Sequence, residues 1–262
     1  MPVNPPLKPG QRGMRWGVWL GIWLGVVVFA PARWLALGVD AASQGRVQLR
    51  DAQGTLWRGH AQWVLTSGPG GQDALALPER LHWRLAPQWH TSLVLRLQVA
   101  GSTPEPIELS LTPSLQGLQL RLTSAHSVWP AQWLSGLGAP WNTMNLTGQM
   151  HLRSQGLLWT WQGWRGQLSG QAQLDLIDMA SALSTVQPLG SYSLQLQGGE
   201  VPTVLLKTQQ GKLRLQGSGV WQPQGFRFEG LARSDSDNDS ALRTLLGVLG
   251  QRNGNTTVLR WG

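Results

Sequence analysis

The segment Leu93-Val94-Leu95-Arg96-Leu97-Gln98-Val99 decides the fold class of this chain. Apolar side chains recur at every second residue, at Leu93, Leu95, Leu97 and Val99, and polar residues separate the last three. A period of two places these apolar side chains on one face of a β-strand. One apolar and one solvated face is the habit of antiparallel sheets, so the segment predicts an antiparallel strand.

The same alternation extends outward in both directions, from about residue 45 almost to the end of the chain. Its apolar members include Val47 and Leu49; Leu81, Trp83 and Leu85; Ile107, Leu109 and Leu111; Leu118, Leu120 and Leu122; Leu174 and Leu176; Leu194 and Leu196; Val204 and Leu206; Leu213 and Leu215; and Phe226 and Phe228. Segments spaced by roughly 10 to 15 residues, with glycine at the turns, predict a meander of hairpins. The predicted fold class is therefore mainly β, an extended, twisted antiparallel sheet.

The alternation lapses between residues 126 and 144. Within this interval, Trp129-Pro130-Ala131-Gln132-Trp133-Leu134 predicts a short helix that starts at Pro130. The interruption allows two β halves, 45–125 and 145–262. Near the end of the chain, residues 241–249 predict a second short helix with leucines on one stripe, followed by a final strand over 256–261.

An uncharged apolar run lies near the start of the chain, from Trp16 to Ala30. Tryptophans favour membrane interfaces, and the basic residues before the run outnumber those just after it. We therefore predict a transmembrane anchor over residues 14–37, a cytoplasmic tail over 1–13 and an exported β domain over 38–262. Ala30-Pro31-Ala32 also fits a cleaved signal peptide, and in that case the β domain is exported too.

The composition narrows the classes of partner. The net charge of +8 would suit nucleic acid, anionic lipid or an acidic protein. The arginines, however, are scattered singly along the alternating segments, at Arg80, Arg84, Arg96, Arg121, Arg153, Arg165, Arg214 and Arg227. Nucleic-acid binding regions concentrate Lys and Arg in runs, so we expect no nucleic-acid partner. The chain has no cysteine, which suits an exported domain that folds without disulfides.

The sequence contains no recognisable catalytic or metal-binding constellation. Asp235, Asp237 and Asp239 are spaced like calcium ligands, but Ser240 and Leu246 stand where a calcium loop needs Gly and Glu. The histidines, at residues 60, 82, 90, 126 and 151, lack the spacing of zinc ligands. Asn145 and Asn255 begin glycosylation sequons that we interpret as chance. We expect no enzymatic activity, catalytic residue, metal or cofactor.

Five short motifs, in the same order, suggest a family. They are Gly54-Thr55-Leu56-Trp57-Arg58-Gly59; Leu77-Pro78 followed by Trp83; Leu183-Ser184-x-x-Gln187-Pro188-Leu189-Gly190-Ser191-Tyr192; Leu215-Gln216-Gly217-Ser218-Gly219-x-Trp221; and Leu245-Leu246-Gly247-x-Leu249-Gly250. With the amino-terminal apolar run, they make the chain resemble the type II secretion system protein N family over nearly its whole length. Pro188 to Tyr192 predicts a turn before a strand, and Gly217 and Gly219 predict a bulge or sharp bend.

The resemblance implies a non-catalytic, single-pass component of the bacterial inner membrane, with its amino terminus in the cytoplasm and its bulk in the periplasm. Its implied partners are other type II secretion subunits, in the inner-membrane platform and in the connectors to the outer-membrane channel. An alternative is a membrane-anchored periplasmic β protein that binds or transfers lipid. A continuously apolar, open concave face would favour lipid, and a face covered by helices or by a second sheet would favour a scaffold.

Overall fold

The computed structural model describes residues 19, 21, 23–68, 74–88, 92–114, 117–162, 165–222, 224–234, 242, 245–247, 250–253 and 256–261. The described chain is mainly β and forms one antiparallel sheet. Its strands are β1 (Val47–Gly54), β2 (Arg58–Thr66), β3 (Ala74–Gln88), β4 (Ser92–Val99), β5 (Ile107–Ser114), β6 (Gly117–Leu122), β7 (Ala125–Pro130), β8 (Leu146–Gln162), β9 (Arg165–Ser181), β10 (Gly190–Gly199), β11 (Thr203–Gly211), β12 (Leu213–Gln222), β13 (Gly225–Ser234), β14 (Gln251–Asn253) and β15 (Thr256–Trp261).

Most neighbouring strands in the sheet are also neighbours along the chain. The order runs from β1 to β6, passes to β8, continues to β13, and ends with β15 and then β14. The short β7 lies off this path and pairs with β8. The prediction of an antiparallel meander is confirmed. The sheet also continues without a break across the interval where the sequence allowed two halves, because β6 pairs directly with β8.

The registers place the apolar members of the alternation side by side. Leu85 pairs with Leu95, Leu95 with Leu109, and Leu109 with Leu122. Because these positions share one face of the sheet, their leucines form a continuous apolar surface. We call this the inner face and the opposite, polar side the outer face.

Three short helical elements are bounded in the described chain. They are α1 (Ala32–Ala42), the 3₁₀ helix η1 (Ala131–Leu137) and α2 (Trp141–Met144). Residues 23–28, 242 and 245–247 are also helical. Pro130 is the N-cap of η1, so the predicted helix start at this proline is confirmed. The helical state of residues 242 and 245–247 agrees with the helix predicted there.

The sequence missed strand β7, which lies inside the interval where the apolar alternation lapses. Ser127 and Trp129 both point to the buried side of this strand, and Trp129 Nε1 donates a hydrogen bond to Ser127 Oγ at 2.9 Å. A buried serine hides the period of two from a count of apolar residues. Trp129 then stacks on Trp133 of η1, with ring centroids 4.7 Å apart, which fixes η1 on the inner face.

The amino-terminal apolar run is not one continuous helix with the residues that follow it. Helical residues 23–28 end before Pro31, and α1 begins afresh at Ala32. Proline has no N–H to donate and disfavours helical geometry in the preceding residue, which explains the break. Trp34 and Leu37 therefore belong to a separate helix, whose Leu35 packs against the core. Among the residues that the structure covers, no helix combines the length and apolarity required to span a bilayer.

Candidate functional site

The turn between β1 and β2 is held by a tryptophan from β3. The ring of Trp83 lies over Gly59, where an added Cβ atom would come within 2.4 Å of it. Trp83 Nε1 is also 3.3 Å from the carbonyl oxygen of Thr55 and 3.2 Å from that of Leu56, to which it donates. Two of the sequence motifs thus meet in space, because β2 and β3 pair in the register that places Gly59 opposite Trp83.

The same turn holds the end of the amino-terminal segment. The backbone N–H of Leu56 donates to the carbonyl oxygen of Ala30 at 2.7 Å, and Trp57 Nε1 donates to that of Val27 at 2.8 Å. Pro31 forms an isolated antiparallel bridge with Thr55, and Ala30 is 1% exposed. These contacts fix the place where the apolar run reaches the sheet, beside the first hairpin.

An apolar cavity of about 220 Å³ lies on the inner face. It is bounded by β8 to β13 and β15 below, and by α2 and the helical residue Leu245 above. Its lining consists of leucine, valine, methionine, phenylalanine, tryptophan and Tyr192. The inner face is therefore neither fully open nor fully covered, since helices roof part of it and leave a hollow beneath.

Two glycines shape the sheet around this cavity, and the bulge that the sequence predicted at these glycines is wrong. Gly217 pairs with Gly230 and Gly219 with Phe228, in a register without a shift. A Cβ atom at residue 217 would lie 2.5 Å from Phe228 Cζ, and one at residue 219 would lie 2.6 Å from Phe226 Cζ. The absence of side chains on these glycines lets two aromatic rings lie flat against the neighbouring strand.

Tyr192 is the polar member of the cavity lining. It is 3% exposed, and its hydroxyl donates to the carbonyl oxygen of Leu213 at 3.1 Å. Burial raises the pKa of Tyr192, so the hydroxyl stays protonated and keeps donating. β10 begins at Gly190, so the strand start predicted in this motif is confirmed, but the turn lies earlier, at residues 182 and 183; Leu189 donates its N–H to the carbonyl oxygen of Met179. This motif therefore acts in packing and strand placement.

The outer face carries a buried carboxylate on β9. Asp175 has a side chain only 6% exposed and forms an ion pair with Arg153 of β8. Gln173 Nε2 and Gln209 Nε2 donate to its Oδ1 at 2.8 and 3.2 Å. Burial would raise the pKa of Asp175, but hydrogen bonds from Gln173 and Arg153 and the charge of Arg153 bring it below its ordinary value. The carboxylate thus stays ionised and organises side chains from three strands.

Arginines that the sequence scatters become neighbours on the outer face. Arg58 pairs with Arg84, Arg84 with Arg96, and Arg96 with Glu108. Arg96 forms an ion pair with Glu108 at the end of this row. Like charges directly opposite each other in a sheet repel, so they do not cancel as an ion pair would. The three arginines therefore form an electropositive strip on β2 to β4, next to the turn that contacts the amino-terminal segment.

The structure brings histidines together that are distant in sequence. His60 lies opposite His82, with ring centroids 5.5 Å apart, and His126 lies 6.3 Å from His151. Only the strand register could reveal these pairs. The described residues contain no group of three side chains suited to hold a metal ion. His90, Asn255 and the aspartates at residues 235, 237 and 239 lie outside the described residues, and Asn145 is an exposed left-handed C-cap of α2.

The two edges of the sheet differ. The edge strand β1 has a register shift between Arg50 and Gln53 and packs against α1. At the other edge, β14 pairs with residues 256–258 of β15. Among the described residues, 259–261 pair with β13 only. Bulges and covering helices protect a sheet edge from pairing with other chains. The β1 edge has a register shift and a covering helix, so residues 259–261 of β15 are the less protected edge.

Comparison with known proteins gives one family. The family model described as type II secretion system (T2SS), protein N, matches residues 45–259. This range extends from the residues just before β1 into β15 and so corresponds to the sheet itself. No curated protein and no solved structure is significantly similar to the chain.

Proposed function

The chain belongs to the type II secretion system protein N family, and from this premise we propose that it is a non-catalytic, bitopic inner-membrane component that works through contacts with other secretion subunits. The observation that carries the proposal is the extent of the family match, which takes in the sheet and not a fragment of it. The sheet is then the part that serves protein export, with the partners in the inner-membrane platform and in the connectors to the outer-membrane channel.

We propose that the anchor lies within residues 14–37, with its apolar helix ending before Pro31. The residues before it would form a cytoplasmic tail, and those from 38 onward a periplasmic domain. The hydrogen bonds from Leu56 and Trp57 to Ala30 and Val27 support this arrangement, because they would hold the first hairpin close to the membrane surface. The arginine row beside this hairpin would then lie within reach of acidic headgroups.

We propose that a partner subunit adds a strand at the less protected edge, residues 259–261. Backbone groups at a sheet edge accept a strand from another chain, and side chains beside the edge give specificity. Arg260 is well placed to report such a partner, because its side chain is 76% exposed and lies on the outer face.

Photocrosslinking in intact cells tests this contact. A p-benzoylphenylalanine residue at Arg260 should give adducts with another type II secretion subunit, identified by mass spectrometry. The matched control is the same replacement at Lys207, an exposed residue on the outer face of β11, which pairs with β10 on one side and β12 on the other. If position 260 gives no adduct with a secretion subunit, or if position 207 gives the same adducts, strand addition at this edge is wrong.

The orientation has a separate test, since the chain lacks cysteine. A single cysteine in place of exposed Gln195 should react with a membrane-impermeant maleimide in spheroplasts. Labelling that appears only after the inner membrane is broken would contradict a periplasmic sheet.

A further inference from the structure

We propose that the apolar cavity of the inner face is a binding site for a linear hydrocarbon chain of an amphipathic molecule. The chain would lie between the sheet and the helical roof, and the polar end would remain in water. This inference goes beyond the contacts proposed above and does not depend on the position of the anchor.

The size of the cavity points to a ligand. Apolar side chains in proteins normally pack closely against one another, whereas this hollow, which is partly open to solvent, leaves about 220 Å³ of space between them. An engineered apolar cavity of about 150 Å³ in another protein stays dry and binds benzene, so by that ratio this cavity has room for roughly nine carbon atoms. A hydrocarbon chain entering it would leave water and gain contacts with the lining.

The chemistry of the lining selects against polar ligands. The hydroxyl of Tyr192 already donates to the carbonyl oxygen of Leu213, and the other lining side chains are apolar apart from the indole N–H groups of Trp141 and Trp261. A polar group pushed into the cavity would lose its bonds to water without replacement. A methylene chain carries no such cost, so the site favours hydrocarbon over sugars, nucleotides or peptides with polar side chains.

The two tryptophans supply an amphipathic lip. Their ring centroids are 6.4 Å apart, and Trp261 is 47% exposed, so one indole has contact with both the cavity and water. Indole combines an apolar body with a polar N–H and suits the boundary between a hydrocarbon chain and its headgroup. Trp261 belongs both to this lip and to the edge residues 259–261, so the bound hydrocarbon chain and the sheet edge would be neighbours.

Photocrosslinking in membranes of cells that make the full chain tests this site. Val204 lines the cavity, so p-benzoylphenylalanine at this position should contact a bound chain. The matched control is the same replacement at Leu205, which lies on the outer face and is 37% exposed. We expect a lipid-sized adduct at position 204 and no such adduct at position 205. The adduct mass distinguishes a membrane phospholipid from a free fatty acid.

A second position protects the test against a folding defect. If the Val204 variant does not accumulate, p-benzoylphenylalanine at Trp261 on the lip takes its place. Combining it with Leu194→Trp, which fills the cavity, should abolish the adduct. Any of four outcomes would overturn the proposal. Two concern the adduct itself: no lipid adduct in a cavity variant that accumulates, or a protein adduct instead of a lipid one. The other two concern the controls: equal adducts at positions 204 and 205, or an adduct that survives Leu194→Trp.

Discussion

Gly219 of β12 leaves the space that the ring of Phe226 of β13 occupies, since a Cβ atom at residue 219 would lie 2.6 Å from Phe226 Cζ. Gly217 has the same relation to Phe228, at 2.5 Å. Phe226 also touches Trp221, with ring centroids 4.4 Å apart. A missing side chain on one strand thus allows an aromatic surface to form on the next, at the floor of the cavity.

Gly219→Ala should lower the free energy of unfolding by about 1–3 kcal/mol, the usual cost of overpacking, because the Phe226 ring must move. Urea unfolding of detergent-solubilised protein measures it. The control is Gly247→Ala, where an added Cβ atom meets nothing within 4 Å and a helical glycine is replaced. That change should be neutral or stabilise by up to about 1 kcal/mol. Unchanged stability of Gly219→Ala would show that the ring is not confined.

Trp57→Phe should loosen the junction between the amino-terminal segment and the first hairpin. The change removes the hydrogen bond to the carbonyl of Val27, worth about 0.5–1.5 kcal/mol, and keeps an aromatic ring. Hydrogen exchange of the Leu56 amide, which is bonded to Ala30, should therefore become faster. Trp34→Phe, which changes an exposed side chain of α1, is the control and should leave this amide unchanged. Equal exchange in both variants would mean that Trp57 does not hold the junction.

Asp175→Asn should destabilise the sheet at neutral pH by about 1.5–3 kcal/mol, the usual value of hydrogen bonds to a charged group. The folded pKa of Asp175 lies below its unfolded value, so its ionisation stabilises the fold above the unfolded pKa. This contribution disappears as pH falls through the folded pKa. The difference between wild type and variant should therefore shrink below about pH 4.

Urea unfolding at several pH values checks this dependence. The control is Asp178→Asn, an exposed residue of the same strand with a positive φ of 51°, which asparagine tolerates well. A stability difference for Asp175→Asn that stays constant down to strongly acidic pH would contradict the assigned role of the carboxylate.

Val26→Arg combined with Val27→Arg should prevent stable membrane insertion, since two charges within the apolar run of a spanning helix cost a few kcal/mol or more. Membrane fractionation and immunoblotting measure the loss. Arginines at Gln195 and Gln197, both exposed on the outer face, are the control and should leave the membrane fraction unchanged. Normal amounts of the Val26/Val27 variant in membranes would contradict the proposed anchor.

The sequence predicted the strands well, and its failures have identifiable causes. Leu93 to Val99 lies in β4, and Leu95, Leu97 and Val99 face the core as predicted, because the period of two follows from strand geometry; Val94 on the opposite face is buried as well. β7 was missed because buried Ser127 breaks the apolar count. The bulge predicted at Gly217 and Gly219 was wrong because a glycine at a bulge and a glycine under a ring look the same in sequence.

By itself, the sequence determined local properties: which residues form strands, which face of each strand is apolar, and where proline starts η1. It also carried the motifs of the family. Only the tertiary structure decided what lies opposite each strand: the pairing of Arg58 with Arg84, the ring of Trp83 over Gly59, and the cavity beneath α2 and Leu245. The physical reason is the distance along the chain between the residues that each property depends on. Alternation follows from backbone geometry within a few residues, whereas register and helical cover depend on contacts between residues far apart in the chain.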